Sequence, residues 1–141
     1  MKTSLLKLKI ILVIIGLAIF GNAEVWGADW KLYFVHENLL AYYDAQSINH
    51  PSKNIIRVWT RWDYKEKGVL GWVGKGGKKY ENLSQSIILS EINCIEKKVR
   101  DMSVTSYDNR GDIIDSSNSP SEWNFIVPES NGENLYKEVC K

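Results

Sequence analysis

The sequence predicts an α+β domain: an antiparallel sheet of about six strands, with a C-terminal helix packed on one face and held there by a disulfide. Three observations predict it. Alternating apolar and polar segments such as Ile55 to Tyr64 come first, and the strongest amphipathic helical segment comes last. No repeat, linker or low-complexity stretch separates them. The chain has two cysteines, one at the end of a strand segment (Cys94) and one in the last helical turn (Cys140).

The N-terminus carries a different signal. Lys2, Lys7 and Lys9 form a basic region, Ile10 to Phe20 is uncharged and apolar, and Gly21-Asn22-Ala23 supplies small residues. This is the pattern of a secretory signal peptide over residues 1–23, cleaved before Glu24. The alternative, a membrane anchor, needs about 20 apolar residues, more than this run provides. Cleavage after Ala28 would place bulky Trp26 where a small residue is read. No cysteine lies near either position, so no lipid anchor is expected. Residues 24–141 then form one domain, exported to the periplasm, surface or surroundings of a bacterium.

Removing the leader takes three of the 18 basic residues and none of the 17 acidic ones, leaving a net charge of −2. That balance argues against nucleic acid as a partner. A domain of this size buries only about two-thirds of its unfolded surface, so a cross-link helps it. In an oxidising compartment two cysteines have one intramolecular pairing, Cys94–Cys140. Closing that loop contributes about 4 kcal/mol in the chain-entropy account. No Cys-x-x-Cys or histidine cluster accompanies them, so neither metal nor cofactor is expected.

In chain order, Trp30 to His36 alternates as a strand, Glu37-Asn38 turns, and Leu40 to Tyr43 returns as a hairpin partner. Asp44 caps a helical turn through Ile48. Asn49 to Asn54 reads as a Pro-containing loop. Along Ile55 to Tyr64, Ile56, Val58, Thr60, Trp62 and Tyr64 share one face, with Arg57, Trp59, Arg61 and Asp63 on the other. Lys65 to Lys79 contains five glycines and reads as a mobile excursion carrying Trp72, since glycine weakens the short helix its apolar residues suggest.

Ser84 to Cys94 is a strand with Ile88, Ile92 and Cys94 on one face and Ile87 and Leu89 on the other. Lys97 to Tyr107 follows, with Val99 opposite Met102 and Val104. Asp108 to Gly111 is a tight turn, and Asp112 to Ser117 completes the hairpin. Trp123 to Val127 reads as a last strand or extended segment, stopped by Pro128. Ser130 and Glu133 form a capping box. Beyond it, Leu135, Tyr136, Val139 and Cys140 share one side of a helix. A helix of about ten residues is not stable alone in water, so sheet packing and the disulfide must hold it.

The motifs of catalysis fail when tested. The stretch GWVGKGGKK lacks the lysine that a phosphate loop needs after its second glycine. No serine sits in Gly-x-Ser-x-Gly. His36 and His50 are the only histidines, and both cysteines are better used in the cross-link. Asp108, Asp112 and Asp115 surround a turn without calcium-loop spacing. The sequence therefore reads as a non-enzymatic protein. Arg110-Gly111-Asp112 spells the tripeptide that integrins recognise, although the turn itself also demands that glycine. Trp59 with Arg57 and Arg61 combines the residue types that protein-binding hot spots favour, and Trp72 is a further aromatic candidate. The plainer reading is that these rings thicken a thin core.

The segments ADWKLYF, YYDAQSI, IIRVWT, GKKYENLSQSIILSEINC, SPSEWNFIVP and LYKEVCK together resemble the surface-adhesin protein E family of bacterial envelope proteins. The likeness runs from about Ala28 to Lys141, and the two cysteines with Ser121-Glu122-Trp123 are its more specific parts. The resemblance implies an antiparallel sheet with a disulfide-held C-terminal helix. It also implies binding to host or extracellular-matrix proteins such as vitronectin and laminin. The founding adhesin resembles a lipid-anchored lipoprotein, and this chain has no cysteine to carry that lipid. The alternative function is a periplasmic structural or assembly protein without a host ligand, pairing through its sheet edge or flat face, with a second copy of itself as one partner. A third reading is a small-ligand pocket between helix and sheet, lined by Trp and Tyr.

Overall fold

The computed structural model describes residues 27–141. The signal peptide expected over residues 1–23 lies outside them. No helix among the described residues is long and apolar enough to cross a membrane.

Eight strands form one antiparallel sheet. They are β1 (Trp30–Val35), β2 (Leu39–Asp44), β3 (Asn49–Ser52), β4 (Ile55–Tyr64), β5 (Leu83–Asn93), β6 (Lys98–Asp108), β7 (Ile113–Ser117) and β8 (Asn124–Phe125). The main path runs β1-β2-β4-β5-β6-β7, with β3 paired to β4 and β8 paired to β6. Helix α1 spans Glu66–Gly76 and helix α2 spans Asn131–Val139. The long strands β4, β5 and β6 form the centre, as their apolar alternation requires. The expected α+β architecture is therefore the one observed.

Helix α2 closes one face. Its Leu135 and Val139 pack with Ile56, Val58 and Ile92 in a buried core. Each such side chain contributes about 1.5–3 kcal/mol on burial. Ser130 caps the helix by accepting the Glu133 amide at 3.2 Å. The return bond differs from a standard capping box: the Glu133 carboxylate accepts from Glu129 N at 2.8 Å, one residue before the cap. The Cys94–Cys140 disulfide joins the last turn to the end of β5, with the two Cα atoms 5.6 Å apart. Tyr136 adds a hydrogen bond from its hydroxyl to the Cys94 carbonyl at 3.2 Å.

Four local expectations change. Asn49 to Ser52 is a short edge strand rather than a loop, and Pro51 is tolerated there because an edge position need not donate to a neighbour. Trp123 to Val127 narrows to two paired residues, because Phe125 and Val127 find no apolar cover and stay largely exposed. A β-bulge in β6, between the pairs Leu89↔Ser103 and Ser90↔Asp101, inserts Met102. Val99 and Val104 therefore face the same side, opposite Ile92 and Ile88, where strict alternation would separate them.

The fourth change is the glycine-rich excursion, which is helix α1. Two of its four glycines, Gly68 and Gly76, stand where side chains do not fit. A Cβ on Gly68 would collide with the Asn38 carbonyl, and one on Gly76 with the Tyr80 ring. Lys65 N donates to Asn38 O at 2.8 Å and anchors the helix start. Trp72 packs edge-on against Tyr64 at 6.3 Å and tilted against Tyr80 at 5.3 Å between ring centres. Tertiary contact thus overrides a poor local propensity. Tyr64 belongs to the same face of β4 as Val58 and Thr60, so both helices lie on one side of the sheet.

Candidate functional site

With both helices on one side, the other face of the sheet is left uncovered. Strand register builds that face. Arg57, Trp59, Arg61 and Asp63 of β4 stand opposite Glu91, Leu89, Ile87 and Gln85 of β5. Tyr42 of β2 is paired with Arg61, and Leu32 of β1 with Tyr42. On the far side Arg100 of β6 is paired with Glu91. An antiparallel sheet facing water usually shows polar residues there. This face instead presents Trp59, Leu32, Ile87 and Leu89 among its charges, with Trp59 37% and Leu32 51% exposed.

Two arginine clusters order the face. The Arg61 guanidinium lies over both the Trp30 ring (5.1 Å) and the Tyr42 ring (4.5 Å), within cation–π range of each. Its Nε is 3.1 Å from Asp63 Oδ1, an ion pair whose geometry is too bent for a hydrogen bond. In the second cluster Glu91 is 3% exposed and receives both Arg57 and Arg100 through one oxygen each, at 2.6 and 2.7 Å. Burial pushes the Glu91 carboxyl up, but the hydrogen bonds from Arg100 and Arg57 outweigh it and hold it below its ordinary value. Arg100 in turn stacks on Trp123 at 4.5 Å. The clusters fix long side chains in place, so a partner would meet a surface whose ordering cost is already met.

Of the residues singled out in the sequence, Trp59, Arg57 and Arg61 come together here. Trp72 does not join them; it is on the helix side, 39% exposed, against Tyr64 and Tyr80. Arg110, Gly111 and Asp112 occupy the tip of the β6–β7 hairpin, with Gly111 at φ +88°. There the Arg110 guanidinium pairs with both Asp108 (3.3 Å) and Asp112 (3.4 Å), so the two charges of the tripeptide meet each other. Sequence reasoning missed Trp30, Tyr42, Glu91, Arg100 and Trp123. The alternation of β5 placed Glu91 beside Leu89 and Ile87, which was a usable signal; the others depend on register. Among the described residues no group of three His, Cys, Asp or Glu side chains is placed to hold a metal ion.

The architecture defines a class: a small α+β domain with one sheet face closed by a disulfide-tethered terminal helix and the other presented to solvent. Within that class, the chain belongs to the surface-adhesin protein E family, whose family model matches residues 30–141. It is similar to the structure of Haemophilus influenzae protein E in crystal form II, with 14% identity and a TM-score of 0.50. That match covers 77% of this chain and 91% of the other. The selenomethionine form of Haemophilus influenzae protein E matches at 15% identity and a TM-score of 0.50, covering 77% and 89%. At such identity the likeness shows the fold. No curated protein matches the sequence.

Proposed function

We propose that this protein is an exported, non-enzymatic adhesin of the bacterial surface whose uncovered sheet face binds a host or extracellular-matrix protein. Membership of the surface-adhesin family supports the general role. The observation that carries the choice of surface is the face itself: Trp59 is half-exposed between the Arg61 and Arg57–Glu91–Arg100 clusters. Trp and Arg are among the residues in which binding hot spots are enriched. Arg110-Gly111-Asp112 is the lesser candidate, because its arginine is engaged by its own neighbours.

The exposed Leu32 and Val35 on edge strand β1 favour a second reading, a periplasmic protein that pairs through that edge with another copy. Two measurements decide. Protease added to intact cells should remove the protein; full protection would exclude surface adhesion. Binding to immobilised vitronectin or laminin should fall at least about tenfold in Trp59→Ala, the loss of a single hot-spot side chain. An unchanged Trp59→Ala, with loss in Asp112→Glu, would move the site to the hairpin tip.

A further inference from the structure

On the helix side, between the first turn of α2 and the sheet, lies a cavity of about 160 Å³. Its walls divide by chemistry. Tyr33, Trp62, Val99 and Leu135 supply aromatic and aliphatic surface, while Thr60 and Ser90 bring hydroxyls. Asp101 supplies the only formal charge in the lining. One Asp101 oxygen accepts from Ser90 Oγ at 3.1 Å, and no lysine or arginine among the described residues answers the charge. A half-buried carboxylate without a cation is costly and asks for one. The Trp62 indole donates to the Tyr33 hydroxyl at 3.3 Å, which fixes both rings against the space.

We propose that this cavity binds an alkylammonium group, with the charge on Asp101, the methylenes against Val99 and Leu135, and the Tyr33 and Trp62 rings beside the cation. The size fits. A cavity of about 150 Å³ holds a six-carbon ring, and a butylammonium, like the tip of a lysine side chain, has one heavy atom fewer. An anion would meet Asp101. A divalent metal would find a single carboxylate, too few oxygen ligands. Asn131 and Gly132, the first residues of α2, also line the cavity, and the Glu133 carboxylate in that turn offsets part of the helix's positive end. Burial pushes the Tyr33 phenol far above its ordinary value, offset only in part by the bond from Trp62, so it stays neutral. Burial likewise raises the Asp101 carboxyl, with Ser90 offsetting part. A bound cation would reverse that.

The site is on the face opposite Trp59, so it stands or falls separately from the adhesive surface. The test is a chemical-shift titration of the oxidised protein with n-butylamine hydrochloride, n-butanol and sodium butyrate. The expected result is saturable shifts at Tyr33, Ser90, Asp101 and the Trp62 indole with butylammonium. Butanol should bind at least about tenfold more weakly, as loss of a charge-assisted bond implies, and butyrate not at all. Asp101→Asn should lose about tenfold in butylammonium affinity, while Trp59→Ala keeps it. Equal affinity for butanol and butylammonium, or no saturation below about 100 mM with a cavity that exchanges only water, overturns the assignment. That comparison uses wild type alone and holds even if Asp101→Asn fails to fold. Nα-acetyl-lysine methylamide distinguishes the source: binding equal to butylamine indicates a protein side chain, and exclusion indicates a free amine.

Discussion

Replacing Cys140 with serine isolates what the disulfide does. The bond spans 46 residues of sequence. In the chain-entropy account that loop is worth about 4 kcal/mol at 25 °C. Domains of this kind have about 5–15 kcal/mol in total, so the variant keeps a folded state with a much smaller margin. A domain of roughly 115 residues melts with an entropy near 0.24 kcal/mol/K, which converts the loss to a drop of about 17 °C in Tm. The helix should not fall away, because Leu135 and Val139 are buried against Ile56, Val58 and Ile92. It should open more often. The assays are calorimetry and amide hydrogen exchange, with protection falling most in Asn131–Val139 and least in Leu83–Asn93. Reducing the wild type should reproduce the drop, and reductant should leave Cys140→Ser unchanged. A Tm loss under about 4 °C, or a further loss when the serine variant is reduced, would refute the claim that this cross-link carries a large share of the stability.

Glu91→Gln leaves Arg57 and Arg100 facing each other without their shared anion. Removing a buried partner costs about 3–5 kcal/mol, and the partial exposure of both arginines reduces this to about 2–3 kcal/mol in urea unfolding. Because Glu91 has a depressed folded pKa, its contribution is present above the ordinary carboxylate range and is lost as pH falls through the folded value; the difference between wild type and Glu91→Gln should shrink in acid. Gly68→Ala forces a methyl into the Asn38 carbonyl, so we expect a loss of about 1–3 kcal/mol and weakened Trp72–Tyr80 packing, read from near-ultraviolet circular dichroism. Asp101→Asn should raise Tm at neutral pH while losing ammonium binding. The folded pKa of Asp101 is raised, so its ionisation costs stability as pH rises through that value, and the gap between the variants should close below about pH 4. Tyr33, the other titrating group in that lining, stays neutral across this range.

Local pattern was enough for much of the molecule. Alternation in Ile55 to Tyr64 separated a core face from the face with Arg57, Trp59 and Arg61, because a strand side chain has a period of two whatever its neighbours are. The i, i+4 spacing of Leu135 with Val139 and Tyr136 with Cys140, and the presence of two cysteines, were enough for the terminal helix and its cross-link. Tertiary structure decided what depends on residues distant in the chain. Helix α1 exists because Asn38 and Tyr64 meet it at Gly68, and Tyr80 meets it at Gly76 and Trp72; no propensity contains that information. The bulge at Met102 reverses the parity of half of β6, so only pairing with β5 brings Val104 to the core side. The same register joins Arg100 to Glu91 and thereby to Arg57, completing a cluster drawn from three strands. The cavity beside Asp101 needs β1, β4, β5, β6 and α2 at once. Period and capping act within a few residues and can be read in order; register and enclosure are set by contacts between segments, which the order of residues alone does not specify.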